Sequence, residues 1–387
     1  MNVLVVGVGQ AGGKVADALL EYEARTRTSF VSDVLAVNTA RVDLLGLKAV
    51  DIEHRLLIGQ SRVKGHGVGA DNRTGVEIAR EDKDDVLQAV DELATHETDA
   101  FLIVAGLGGG TGSGAAPVIA RELSRMYTEP VYGLGILPGR DEGGIYTLNA
   151  ARSFRTFVRE VDNLVLFDND AWRNEGESLQ SGFATINAEI ARRFGVLFSA
   201  GESRSGAVPE TVVDASEIIN TLSGGGISTV GYATSKLDRA EMGILSRLGG
   251  KRAEVDELDA VNRITSTVRR AALGRLTLPC DIRSAGRALV VVSGPPEYLS
   301  RKGIENARRW LEESTGTMEI RGGDYPVPDS EHVAALVLLS GIRNAPRLDE
   351  LDAIAVETKE NLAAIEAENA NRLGAPWEGE GEIDPLF

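Results

Sequence analysis

The chain has 387 residues, with 58 Asp+Glu against 41 Lys+Arg and a formal net charge of −17. At 43% hydrophobic it carries apolar material for a sizeable core, which excludes disorder throughout, and no apolar run reaches the roughly 18–20 residues that span a bilayer. The acidic balance argues against binding nucleic acid through phosphates or docking on anionic lipid, and a single cysteine, Cys280, excludes an intrachain disulfide framework or a multi-cysteine metal site.

The start, Met1-Asn2-Val3-Leu4-Val5-Val6-Gly7, enters a strand-like run without a basic leader, so we read no signal peptide and expect the cytosol. Only eight of the 41 basic residues are lysine. An acidic, Lys-poor, Arg-rich surface suits a salt-rich cytosol, because carboxylates hold water and cations and salt screens their repulsion. An ordinary acidic protein from a GC-rich genome is the plain alternative.

In chain order, the pattern predicts a strand at Val3–Val6, a helix at Lys14–Ala24 and a strand at Val34–Val37. A helix follows at Asp84–Ala94, with Val86, Leu87, Val90 and Leu93 on one face. Next come a buried strand Phe101–Ala105, helix Ala115–Met126, strand Val131–Leu137, helix Tyr146–Val158 and strand Leu164–Phe167. Continuous apolar strands alternating with amphipathic helices imply an α/β fold: a parallel, Rossmann-like sheet covered by helices on both faces, with right-handed crossovers. A long helix at Leu179–Ser199 carries Phe183, Ile186, Ile190 and Phe194 at spacings of three and four, and a polar Gly/Ser-rich stretch, Gly201–Gly206, ends it. Beyond it we expect helix Asp214–Leu222, strand Ser228–Thr234, helix Val255–Ala272, strand Arg287–Val292, helix Arg301–Ser314 and strand His332–Leu339, a smaller α+β domain hinged on the long helix. The tail reads as an acidic helical stretch, Leu348–Arg372, then a disorder-prone Gly/Glu segment to Phe387. The expected domains are therefore 1–178, a central helix 179–200, a second domain 201–342 and a tail 343–387.

Two glycine signals carry chemistry. Gly7-Val8-Gly9-Gln10-Ala11-Gly12 contains G-x-G-x-x-G between strand and helix. Its glycines let backbone approach phosphate oxygens, and the helix start offers free N–H groups and a positive dipole end. A nicotinamide enzyme also wants an acid at the end of the second strand, and here that strand ends in Asn38-Thr39. The second signal is Gly108-Gly109-Gly110-Thr111-Gly112-Ser113-Gly114, placed between a buried strand and a helix. Five glycines in seven residues make an anion nest of bare amides, to which Thr111 and Ser113 add hydroxyls. The P-loop pattern G-x-x-x-x-G-K-[ST] is absent from the chain. With no lysine in the loop, phosphate charge has to be met by amides, the helix dipole and a bound cation.

The G-G-G-T-G-S-G run resembles the signature of the tubulin and FtsZ superfamily of GTPases. Gly9-Gln10-Ala11-Gly12 resembles the tubulin form of the first phosphate loop, and the acidic, Arg-rich composition is most similar to the archaeal CetZ branch. The resemblance covers roughly residues 1–340. It implies GTP or GDP as ligand, a GTP-binding domain, a long central helix and an activation domain. Gly9, Gln10, Ala11 and Gly12 then lie beside the phosphates, with Asn38 in the second loop, Gly69 and Ala70 in the third, γ-phosphate-sensing loop, and Gly108 to Gly114 in the fourth. Glu142 would hold the ribose, Asn169 would lie near the guanine, and on the long helix Phe183 would stack on the base while Asn187 reads its edge. The i, i+4 spacing puts Phe183 and Asn187 on one helix face; read from residues alone, Phe183 is better taken as an ordinary core residue of an amphipathic helix and Asn187 as a solvated polar position.

Val212-Val213-Asp214-Ala215-Ser216-Glu217 resembles the seventh loop, whose two acids, here Asp214 and Glu217, would polarise the attacking water. Val212 departs from the bacterial N-x-D-x-x-D pattern, and the D-x-x-E form is closer to α-tubulin. From residues alone Asp214 and Glu217 also read as a helix capping box. The resemblance implies that this loop completes the site of the next subunit, so hydrolysis requires head-to-tail assembly of a cytoskeletal filament with a role in cell shape. Mg²⁺ is expected through the phosphates. His54, His66, His96 and His332 lack ligand spacing. The C-terminal Ile383-Asp384-Pro385-Leu386-Phe387 could serve as a tethered peptide for a membrane-associated or cytoskeletal partner. A nicotinamide-dependent oxidoreductase and a nucleotide-binding regulator that never assembles are the rival readings.

Overall fold

The computed structural model describes residues 1–173, 179–201, 213–237 and 257–374. Ten strands form one sheet: β1 Val3–Val8, β2 Val31–Asn38, β3 Arg55–Leu57, β4 Ala100–Gly106, β5 Val131–Leu137, β6 Asn163–Asp168, β7 Ile227–Lys236, β8 Arg287–Gly294, β9 Ile320–Pro326 and β10 His332–Ser340. Their order is β3-β2-β1-β4-β5-β6-β7-β10-β8-β9. The first six are parallel in the doubly wound order, with its switch point between β1 and β4. The sheet does not stop at the long helix. β7 continues it in parallel beside β6, and β10 then pairs antiparallel with both β7 and β8.

The longer helices are α1 Gly9–Thr26, α2 Asn72–Glu81, α3 Lys83–Asp91, α4 Thr111–Met126, α5 Gly144–Glu160, α6 Leu179–Ser199, α7 Ala215–Leu222, α8 Glu257–Leu273, α9 Arg301–Thr315 and α10 Pro346–Gly374. Successive strand residues point to opposite faces, so each face needs its own cover. Leu4, Val6 and Val8 pack toward α2–α5, whereas Val3 and Val5 pack toward α1 and α6. β1, β4, β5 and β6 are buried along almost their whole length, which matches their unbroken apolar sequences.

Boundaries differ from the sequence expectation chiefly at the glycines. α1 begins at Gly9 and α4 at Thr111, earlier than the apolar periodicity indicates. β3, α2 and β9 escape sequence analysis: β3 is three residues long, α2 has a polar exposed face, and β9 carries Arg321, Gly322, Gly323 and Asp324. α10 is not a free acidic tail at its start. Leu351 and Ala355 are buried in the core, Arg155 pairs with Asp352 at 3.0 Å, and Thr358 lies against Gly144 on α5. Residues 202–206, Val212 and residues 375–387 lie outside the described residues.

Candidate functional site

The carboxyl ends of β1, β2, β4 and β5 open into a cavity of about 400 Å³, at the switch point. Gln10, Ala11, Asn38, Gly69, Ala70, Gly108, Gly109, Gly110, Thr111, Gly112, Glu142, Asn169, Phe183 and Asn187 all line it. Residues from the first helix to the long helix are therefore gathered around one space. The N-terminus of α4 belongs to its wall, where free amides and the dipole favour an anion.

The loops are locked to one another. Asn38 Oδ1 accepts from the amides of Thr39 and Ala40, at 2.8 and 3.1 Å, turning the chain after β2. Thr39 and Thr111 share a hydroxyl–hydroxyl bond of 2.7 Å, and Ala40 bridges to His66. Asp71 caps α2 by accepting from the amides of Arg73 and Thr74. The Thr74 hydroxyl is the main reason its carboxyl sits below the usual aspartate range. Glu142 Oε1 accepts from Gly139 N at 2.7 Å, which holds its carboxylate at the wall.

Four of the candidate nucleotide-binding residues, Gly9, Gly12, Ser113 and Gly114, do not line the cavity. A Cβ on Gly12 would lie 2.1 Å from Val104 O, and one on Gly114 2.4 Å from Asn72 O, so these glycines permit helix packing. Gly9 has φ +72° and packs against Gly112. The Ser113 hydroxyl donates backward to Gly109 O. Their place in the motif is that of support behind the phosphate loops.

Sequence analysis missed Lys14, Asp43, His66 and Tyr146, which also line the cavity. Lys14 lines the cavity from outside the glycine loop, which itself contains no lysine. It stands one turn beyond Gln10 on α1, an i, i+4 relation that could have flagged it. Asp43 is held by Gln10 Nε2 at 3.1 Å and Asn38 Nδ2 at 3.2 Å. In the cavity wall Asn169 is buried, and its Oδ1 has no hydrogen-bond partner among the described residues. An orphaned acceptor in a cavity wall fits a ligand that carries N–H donors. Phe183 is half-buried, packing on the core and facing the cavity together.

Asp214 and Glu217 sit elsewhere. Asp214 is the N-cap of α7, accepting from Glu217 N at 3.1 Å and Ser216 Oγ at 2.6 Å. Its carboxyl is held below the usual range, first by the Ser216 hydroxyl. Glu217 Oε2 lies 3.0 Å from Arg321 Nε on β9, close enough for an ion pair though not aligned as a hydrogen bond. Neither acid lines the cavity of its own chain. Among the described residues no group of three His, Cys, Asp or Glu could hold a metal, and no helix is long and apolar enough to cross a membrane. Cys280 is partly buried, and desolvation raises its thiol to about 12, so it is unreactive.

A doubly wound sheet with two glycine loops at its switch point, extended by a mixed sheet beyond a long helix, defines an α/β nucleotide-binding protein. Residues 2–176 match the tubulin/FtsZ family GTPase domain, and residues 176–357 match the C-terminal domain of tubulin-like CetZ. The chain is 64% identical to tubulin-like protein CetZ3 of Haloferax volcanii, over the whole of both chains. The solved GDP-bound monomer of CetZ1 from Haloferax volcanii superposes with a TM-score of 0.83 at 59% identity, covering 93% of this chain and all of that one. The GTPγS-bound protofilament of CetZ2 from that organism superposes with a TM-score of 0.83 at 44% identity, over 94% and 100% of the two chains. The chain belongs to the tubulin/FtsZ family, in its CetZ branch.

Proposed function

We propose that this chain binds GTP in the switch-point cavity, assembles head to tail, and hydrolyses GTP where two subunits meet. The observation that carries the reading is a division: fourteen of the candidate nucleotide-binding residues line one cavity, while Asp214 and Glu217 lie off its wall. Bare amides of Gly108–Thr111 and the α4 dipole meet the phosphates, and Lys14 adds a positive charge. Gly69 and Ala70 meet the γ-phosphate end, Glu142 the ribose, Phe183 the face of the base, and Asn169 with Asn187 its polar edge. Mg²⁺, held through the phosphate oxygens, supplies charge neutralisation for phosphoryl transfer.

Asp214 and Glu217 of the adjoining subunit orient and polarise the attacking water. Arg321 beside Glu217 holds that carboxylate in place. Val42 and Leu45, which flank the lining residue Asp43, are 78% and 68% exposed, and supply apolar surface for the next subunit. A heterologous contact of this kind grows a filament. The reading places the protein in the cytosol as a cytoskeletal element acting on cell shape, with the domains divided as the sequence suggests and the C-terminal peptide as a partner tether. The nicotinamide alternative lacks its ribose-binding acid at the end of β2, where Asn38 is spent on the turn.

GTP turnover measured against protein concentration tests this. The rate per molecule is expected to rise steeply above a threshold. In Glu217→Ala it falls on the order of 100-fold while GTP binding persists. A rate per molecule independent of concentration would overturn shared catalysis and favour a non-assembling regulator.

A further inference from the structure

Asn149 lies on α5, is 1% exposed and does not line the cavity. Its side chain nonetheless reaches two of the loops that do. Nδ2 donates to Ala70 O at 2.7 Å and to Gly108 O at 3.1 Å. Both partners are backbone carbonyls, so both protons of one amide nitrogen are used, and no other uncharged side chain of that size presents two such donors. The two carbonyls belong to the third and fourth loops, which meet nowhere in sequence. They touch directly as well: a Cβ on Gly110 would lie 2.4 Å from Val68 and 3.0 Å from Asp71 N.

Ala70 is held in an unfavourable backbone. Its φ is +64°, one of three non-glycine residues among those described with positive φ. An L-residue there is strained, because its Cβ crowds the neighbouring carbonyl oxygen. In the same stretch Gly65, Gly67 and Gly69 are glycines that adopt positive φ freely, while Lys64, at φ +50°, takes it as the C-cap of a short helix. Something must therefore hold Ala70 against its own preference; the part-buried bond from Asn149 to its carbonyl does so beside the turn bond from Asp71 N to Val68 O.

We propose that Asn149 is a positioning residue for the γ-phosphate end of the site, clasping the third loop to the fourth and keeping Ala70 in its left-handed conformation. The third loop is thereby preorganised, so the entropy of ordering it is not drawn from binding. The inference rests on the reading of the cavity as a GTP site with the third loop at the γ-phosphate. A GDP-sized ligand, which ends short of that loop, gains little from the clasp.

Binding of fluorescent GTP and GDP analogues to the full chain, below its assembly threshold and beside a thermal unfolding curve, tests this. Asn149→Leu, which keeps bulk and removes both donors, is expected to weaken GTP on the order of tenfold and GDP by less than about twofold. Ala70→Gly added to Asn149→Leu restores part of the GTP affinity, because glycine takes the left-handed backbone without a tie. A role confined to packing of α5 would not respond to residue 70. Should Asn149→Leu fail to fold, Asn149→Asp keeps the side-chain volume, sets a carboxylate against both carbonyls, and carries the same expectation. An unchanged GTP/GDP ratio in the folded variant overturns the proposal, and so does an equal loss of both nucleotides that Ala70→Gly leaves untouched. A wild-type chain that binds neither analogue overturns the GTP reading itself.

Discussion

Phe183 serves two surfaces at once. From α6 it packs against the core and also lines the cavity beside Asn187, one turn further on. Its truncation to alanine is expected to weaken guanine-nucleotide binding by about 1–3 kcal/mol, the range for loss of a base-stacking ring, with the affinity read by titration. Unchanged affinity would return Phe183 to the core alone. Asn169 is the complementary case, since its buried Oδ1 has no partner among the described residues. The residue types at both positions are visible in the sequence. That one amide is orphaned and aimed at a cavity is not, because it depends on what fails to surround it.

At the scale of elements, the glycine motif divides into two kinds of residue. Gly108, Gly109, Gly110 and Gly112 line the cavity, whereas Gly114, further along α4, meets α2 backbone against backbone. Gly114→Ala forces α2 and α4 apart and is expected to cost about 1–3 kcal/mol of stability, the range for overpacking. Gly109→Ala meets nothing within 4 Å and should leave stability near wild type while lowering nucleotide affinity. Denaturation and nucleotide titration of the two variants distinguish wall from support, and the reverse pattern would overturn the division. A motif read along the chain treats its glycines alike. Only the helix packed on top separates them, and α2 is the helix that its polar sequence hides.

Over the whole molecule, the C-terminal helix reaches back to the site. Arg347, at the start of α10, is buried and donates from Nη2 to Pro138 O at 2.8 Å, with Nε 3.4 Å from Asp168. Pro138 lines the cavity, and Asp168 precedes Asn169. Burial raises the Asp168 carboxyl, and the Arg347 guanidinium opposes that rise. Arg347→Met leaves a buried carboxylate unpaired and is expected to cost about 3–5 kcal/mol, measured by denaturant unfolding at neutral pH. Without the guanidinium the folded-state pKa of Asp168 rises further above its unfolded value. The deficit therefore shrinks as pH falls below that folded value and the carboxyl protonates. Asp168→Asn in the same chain should recover part of the loss, and a deficit independent of pH would show that the pair is not responsible.

Composition, apolar periodicity and glycine spacing by themselves determined the α/β class, the longer strands of the parallel half, the long helix from Leu179 to Ser199, and the glycine loops. These are local properties, set by what each short segment needs to bury or bend. The tertiary structure decided that one sheet runs unbroken through both halves, that Lys14 and Asp43 join the cavity wall, that Gly12 and Gly114 support it from behind, and that Asn149 and Arg347 tie distant segments to it. Those outcomes depend on distances between residues far apart in the chain. Such distances exist only once both faces of the sheet have been covered and the packing has chosen which polar groups meet.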